Sequence, residues 1–218
     1  MIISEQAYAR SVGALDKLLS QALESIIKQK LGDKVLKKIE QRLQERYNVT
    51  ITDAIRDFHI FDATLREFFG TGADTMEEEF KERLISFNAS SKGRQWITIE
   101  NQELADLILE SYGDKEKRLI LNTALKSPNV ILDILEQCNI PKSSGYRLVS
   151  ELVNDGLLTE EGTAKTSDGK TVSKYTALLE KIKIEIEAEG IQIHVLLKEH
   201  ILEESSIYKI LIRLRGQS

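Results

Sequence analysis

Cysteine is nearly absent from this chain of 218 residues, because Cys138 is the only one. A single cysteine excludes an intrachain disulfide and a CxxC metal pair. Long apolar runs are also missing, since charged residues interrupt every hydrophobic stretch well before the ~20 residues of a membrane span. The first residues lack the basic segment followed by an apolar one that marks a signal peptide. The sequence therefore predicts a cytoplasmic protein with no membrane partner.

Motifs of catalysis and of phosphate binding are missing as well. The glycines of FFGTGAD follow a helix and lack the GxxxxGK[ST] pattern of a phosphate loop. No GxSxG motif or Ser-His-Asp set can be made out. His59, His194 and His200 have no second histidine or cysteine at ligand spacing, so they are expected to be structural or surface residues. We therefore predict no catalytic residue, no cofactor and no metal site.

The charge balance hides a local basic pattern. The formal net charge of −5 argues against a protein that binds any polyanion. Residues 141–150 nevertheless carry two basic residues and no acid, and residues 162–176 carry three lysines against Asp168. A local basic surface matters more for docking to DNA than the total charge.

Residues 128–177 carry the most informative pattern, which is typical of a winged helix-turn-helix. Ser127 and Pro128 predict the start of one helix, and Asn139-Ile140-Pro141 a tight turn before the next. A two-stranded hairpin follows, with its turn at Ser167-Asp168-Gly169-Lys170. This module lays its second helix in the major groove of DNA.

The exposed face of that second helix and the basic hairpin are the candidate DNA-binding surface. Arg147 can make two hydrogen bonds to guanine or clamp a phosphate, and short hydroxyls can bond phosphates or base edges. The alternative is a winged helix that binds another protein, with ordinary solvated lysines. The candidate residues are Lys142, Ser143, Ser144, Tyr146, Arg147 and Ser150 on the helix, and Lys165, Lys170 and Lys174 on the wing.

The amino-terminal part, residues 1–92, is predicted to be all helical, with a sensory or a dimerising role left open. Apolar residues recur three and four positions apart from Leu15 to Ile27, and Gly32 ends that helix. Thr52, Asp62 and Asp74 are the expected caps of three later helices. A polar stretch, residues 89–95, predicts a linker, and residues 93–113 are assigned to this linker and a connecting helix. The winged helix is then assigned to residues 114–178.

Residues 179–218 are predicted to form a β-hairpin and a last helix near 199–213. Ile182, Ile184 and Ile186 alternate with charged residues, as in a strand with one buried face. We interpret the hairpin as a dimerisation element shared by two subunits, or as a lid on the amino-terminal helices. The predicted fold class is thus mainly α with a small β component.

Two segments resemble known families. IPKSSGYRLVSELVNDGLL resembles the turn, recognition helix and wing entry of archaeal winged-helix transcription regulators of the TrmB and ArsR kind. It departs from them at Gly145, where a branched apolar residue is usual, and the ArsR metal cysteines are absent. The stretch from Leu31 to Leu84 is similar to a small helical domain of ammonia-oxidising archaea, which implies an output or sensory module.

These observations favour a sequence-specific, DNA-binding transcription regulator that acts as a homodimer on double-stranded DNA. The alternative is a non-enzymatic adaptor whose winged helix docks onto another protein. An enzyme in the amino-terminal helices has no motif behind it. A small-molecule effector is left open as a further partner.

Overall fold

The computed structural model describes residues 13–88, 96–166, 169–188 and 190–215. Its fold is mainly α with a small antiparallel β component, which confirms the predicted class. The described helices are α1 (Ala14–Tyr47), α2 (Ile51–Arg56), α3 (Phe58–Phe69), α4 (Gly72–Leu84), α5 (Gln102–Gly113), α6 (Lys115–Lys126), α7 (Ile131–Cys138), α8 (Lys142–Asn154), α9 (Glu199–Glu204) and α10 (Ser206–Arg215). The strands are β1 (Ile85–Asn88), β2 (Trp96–Ile99), β3 (Asn129–Val130), β4 (Leu158–Lys165), β5 (Thr171–Ala177), β6 (Leu179–Glu187) and β7 (Gly190–Leu197).

The amino-terminal helices pack around the apolar stripe of α1. Gly32 interrupts α1 with a φ of 69°, so the expected helix end appears as a kink. The cap of α2 is Thr50 and not Thr52, because Thr50 Oγ1 accepts a hydrogen bond from the Asp53 amide in a capping box. The expected caps Asp62 and Asp74 are also wrong, since both lie inside helices and pair with Arg66.

A four-stranded antiparallel sheet combines segments that lie far apart in the sequence. Its strand order is β1-β2-β7-β6, so β7 from the carboxyl-terminal hairpin pairs with β2. Strands β6 and β7 pair antiparallel, which confirms the predicted carboxyl-terminal hairpin. This hairpin completes a sheet whose other two strands, β1 and β2, come from the amino-terminal half. The expectation that residues 1–92 are all helical is wrong at Ile85–Asn88, because these residues form β1.

The segment from α6 to β5 contains the three helices and the two-stranded hairpin that the sequence predicted, and it also contains β3, a short strand between α6 and α7 that was not predicted. Its own sheet has the order β3-β5-β4. The predicted helix start at Pro128 is wrong, because Asn129 and Val130 pair with Tyr175 and Lys174 before α7 begins. Pairing with β5 satisfies backbone groups that a longer α7 would have satisfied locally.

Two further expectations differ from the observed elements or lie outside them. The last helix is divided into α9 and α10 at Ser205, whose backbone is extended. The linker at residues 89–95 lies outside the described residues. Among the described helices, none is both long enough and apolar enough to cross a membrane.

The amino-terminal helices meet the segment from α6 to β5, which we call the winged segment after its terminal hairpin, at Gly156. This residue has a φ of 76°, and a Cβ there would lie 2.6 Å from the backbone nitrogen of Leu18. The backbone turn after α8 therefore rests directly on the start of α1. This contact joins the winged segment to the amino-terminal helices.

Candidate nucleic-acid interface

The turn between α7 and α8 sets the direction of the candidate recognition helix. Asn139 adopts a left-handed conformation with a φ of 54°, which ends α7 and reverses the chain. Ile140 buries its side chain, and Pro141 precedes the first turn of α8. The turn thus brings α8 against α7 with its amino terminus projecting outward.

Gly145 lets the two helices approach closely. A Cβ at Gly145 would lie 2.5 Å from Cδ2 of Leu135, inside contact distance. The inner face of α8 is completed by Leu148, Val149 and Leu152, which are buried at three- and four-residue spacing. The opposite face must therefore point to solvent.

That outer face carries the residues that the sequence singled out. Tyr146 is 44% exposed, and the side chains of Lys142 and Arg147 are 63% and 65% exposed. Ser143 and Ser150 are exposed as well, whereas Ser144 is half-buried and donates to the Pro141 carbonyl at 3.2 Å. The face is open to a partner, and the amino-terminal helices leave it uncovered.

Acidic residues beside α8 offset part of its basic charge, which the sequence analysis did not anticipate. Arg147 forms a salt bridge to Glu151 one turn further along α8. Glu151 also accepts from Lys117 of α6 at 3.0 Å, and this hydrogen bond and the charge of Arg147 lower its pKa. Lys142 lies 3.9 Å from Glu136. The four-residue spacing of Arg147 and Glu151 is a signal that could have revealed their pairing.

The three lysines of the wing do not form one surface. Lys165 pairs with Thr171 next to the hairpin turn, and the Lys170 carbonyl accepts from the Thr166 amide at 2.8 Å. Lys174 is half-buried on β5, and it shares its face of the strand with Thr176, which bonds to α6. Because side chains alternate along a strand, Lys165 and Lys174 point to opposite faces of the wing. Lys165 and Lys170 are thus the wing candidates placed near its tip.

A cleft of about 840 Å³ lies between the start of α1, the end of α8, the start of β4 and the α9–α10 segment. Its lining mixes basic and acidic side chains, among them Lys17, Arg56, Glu203 and Glu204. Among the residues that the structure describes, none forms a hydrogen bond with the buried Nε of Arg56. In the part of the chain that the structure describes, no group of His, Cys, Asp and Glu side chains is arranged to hold a metal ion.

No protein-family model, curated protein or solved structure matches this chain. The function is therefore inferred from the residues and the geometry of the surface around α8.

Proposed function

We propose that the chain is a sequence-specific, DNA-binding transcription regulator that acts as a homodimer. Helix α8 would enter the major groove of double-stranded DNA, and the wing tip would contact the flanking backbone. A twofold dimer would present two α8 helices to a near-palindromic site.

The observation that carries this proposal is the exposure of Tyr146 and Arg147 on a helix whose other face is fixed. A recognition helix must be held rigidly on one face and be free on the other, because contacts with bases depend on how the helix is positioned along the groove. Gly145 and the buried leucines pack one face of α8, and the exposed face carries a guanidinium, a phenol and hydroxyls. The cleft beside Gly156 is the proposed place for a small-molecule effector, because it touches both α1 and β4.

Substitution of Arg147 tests the proposal directly. Arg147→Ala should weaken binding to the specific site by about 1–3 kcal/mol if this side chain contacts a base. Glu151→Gln should have the opposite effect, because it removes a negative charge from the surface that would face phosphates and releases Arg147 from its salt bridge. Fluorescence anisotropy with genomic fragments recovered by co-purification measures both affinities. Equal DNA affinity of the wild type, Arg147→Ala and Glu151→Gln would show that Arg147 does not contact DNA.

Substitution of the wing separates backbone contact from base contact. Lys170→Ala should weaken binding to every duplex alike and lower the slope of log affinity against log salt by about 1, since one fewer counterion is released. Lys37→Ala is the matched control, because Lys37 is an exposed lysine on α1, far along the chain from the winged segment. If Lys37→Ala lowered the slope of log affinity against log salt as much as Lys170→Ala does, the result would contradict a role for the wing.

The second candidate is an adaptor that docks onto another protein through the same helix face. The pairing of Arg147 and Lys142 with Glu151 and Glu136 favours it, because these acids reduce the positive charge offered to phosphates. Retention on random duplex DNA at low salt, lost as the salt concentration rises, distinguishes the two functions. An adaptor would not be retained at any salt concentration.

A further inference from the structure

Strand β6 forms an edge of the four-stranded sheet. The order β1-β2-β7-β6 leaves one side of its backbone without a neighbouring strand among the described residues. An edge of this kind is a template for pairing with another chain. Monomeric proteins usually protect such an edge with charges or cover it.

The side chains of β6 do not protect this edge on both faces. Ile186 is 79% exposed and Ile184 is 47% exposed on one face, and Ile191 of β7 beside them is 43% exposed. Ile186 and Ile191 are directly paired across the hairpin, so their exposed surfaces are continuous. Contiguous exposed isoleucines at a sheet edge indicate a contact surface, since isolated monomers rarely expose them together.

The charged face of β6 is self-complementary in one antiparallel register. If two β6 strands pair about Ile184, Lys183 lies opposite the partner's Glu185, and Lys181 lies opposite the partner's Glu187. Symmetry repeats both pairs, so each of the four charged positions in 181–187 meets an opposite charge. An axis at Lys183 or at Glu185 would instead place two like charges opposite each other, which is unfavourable.

The same register also pairs the isoleucines on the apolar face of β6 with those of the partner. Ile184 meets the partner's Ile184 on the axis, and Ile182 meets the partner's Ile186. The rows continue into β7 because Ile182, Ile184 and Ile186 pair with Val195, Ile193 and Ile191. The isoleucines that are exposed in one chain would therefore become central positions of a continuous sheet.

We propose that two copies of the chain join edge to edge through β6, antiparallel and with the twofold axis at Ile184. This pairing specifies the homodimer of the proposed function and assigns its contact to the hairpin. Helix α10 is not assigned to the contact, because Ile207, Tyr208, Ile210 and Leu211 are buried and the helix packs against α1, α3 and α4.

Residue Glu185 is already held in position for this pairing. Its carboxylate accepts from Lys183 Nζ at 2.7 Å and lies 2.7 Å from His194 Nε2, while His194 Nδ1 lies 2.8 Å from Thr98 Oγ1. The bonds fix Glu185 on the polar face of the sheet, where the partner's Lys183 would reach it. Pairing would extend this polar row across the axis.

Sedimentation equilibrium of the full chain without DNA tests the contact. Ile184→Lys should raise the dimer dissociation constant roughly tenfold or more, because two lysines would meet on the axis. Ile212→Lys is the matched control, since Ile212 is 38% exposed on α10. A monomeric wild-type chain, or equal effects of the two substitutions, would overturn the proposal. Because this measurement is made without DNA, a protein that does not bind DNA could still form the dimer. Failure of the DNA-binding proposal and failure of the dimer proposal can therefore be told apart.

A charge exchange tests the register. Lys181→Glu and Glu187→Lys should each weaken the dimer by opposing like charges, and the double variant should restore wild-type association. Failure of the double variant to recover would exclude the axis at Ile184.

Cysteine cross-linking locates the axis independently. In a Cys138→Ser background, Ile184→Cys should form an intermolecular disulfide on mild oxidation, since residues paired with themselves lie about 4.5–5.5 Å apart at Cα. Ile186→Cys should not, because its two copies would lie four positions, or about 13 Å, apart along the strands. Cross-linking of Ile186→Cys in preference to Ile184→Cys would contradict the register.

Discussion

At the residue scale, Gly145 decides how closely α8 approaches α7. A Cβ at this position would overlap with the side chain of Leu135, which is fully buried and has little room to move. Gly145 thus makes room for the side chain of Leu135.

We predict that Gly145→Ala destabilises the protein by on the order of 1 kcal/mol. Overpacking costs about 1–3 kcal/mol, and the higher helix propensity of alanine returns about 1 kcal/mol. Urea unfolding measures the change. Gly113→Ala, where a Cβ would have no atom within 4 Å, is the control and should be neutral or stabilising. In a Leu135→Ala background the clash is gone, so Gly145→Ala should then stabilise; continued destabilisation would disprove the overpacking.

At the element scale, helix α10 depends on a cap that lies almost the whole chain away. Asp16 of α1 accepts hydrogen bonds from the backbone amides of Ser206 at 2.8 Å and Ile207 at 3.1 Å, and from the Ser205 hydroxyl. These amides belong to the start of α10, where backbone donors lack partners within the helix. Sequence patterns could not reveal this cap, because they detect caps only next to the helix they serve.

We predict that Asp16→Asn destabilises the protein at neutral pH by about 1–3 kcal/mol, because the amide of asparagine offers one acceptor oxygen where an ionised carboxylate offers two. Asp114→Asn is the matched control: Asp114 caps α6 locally with a single bond to the Lys117 amide, and asparagine caps as well as aspartate. Thermal unfolding of the two variants measures the difference. Equal losses would mean that the second oxygen of Asp16 contributes nothing.

The pH dependence of the Asp16 effect has a defined sign. Burial is the main influence on this carboxyl and raises its pKa above 3.8, although the hydrogen bonds lower it. The folded protein then binds the proton more tightly than the unfolded chain, so the stabilisation is complete below pH 3.8 and is lost as the pH rises through the folded pKa. The stability difference between wild type and Asp16→Asn should therefore shrink over that interval. A difference that grows with pH would contradict the raised pKa.

At the scale of the whole molecule, the contact of Gly156 with α1 joins the winged segment to the amino-terminal helices. Gly156→Ala should destabilise the protein more than Gly162→Ala does. Both glycines have positive φ, 76° and 83°, so alanine costs about 1–2 kcal/mol of backbone strain at either position. At Gly156 the new Cβ would also collide with the Leu18 backbone, whereas no atom of the described residues lies within 4 Å of a Cβ at Gly162.

Denaturant unfolding of the two variants measures that extra loss. Hydrogen exchange at the start of α1 locates it, because the Gly156 substitution should expose amides there and the Gly162 substitution should not. Equal losses with unchanged exchange would mean that the contact contributes no stability.

Sequence patterns predicted the elements whose signals are local. The stripe of α1, the Asn139 turn and the buried face of α8 each follow from spacing within a few residues, and the structure confirms them. The strand β6 is also confirmed, but its predicted buried face is wrong at Ile184 and Ile186, because both side chains are exposed. The same spacing placed the candidate residues of α8 on its exposed face, where all except the half-buried Ser144 are exposed. Strand β3, the Asp16 cap and the bridge from Lys117 to Glu151 were missed, because each depends on a partner distant in sequence. Strand β1 was missed although its partner β2 follows it closely in the sequence.

The order in which β2 and β7 are synthesised has a consequence for folding. Strand β2 emerges early, but its neighbour β7 ends at Leu197, about a hundred residues later. The whole winged segment must be synthesised in between, and during this time the backbone N–H and C=O groups of β2 that pair with β7 have no partner strand. Nascent chains of this protein should therefore depend on chaperones until β7 appears, and truncation before Leu197 should yield aggregates in place of a shorter folded protein.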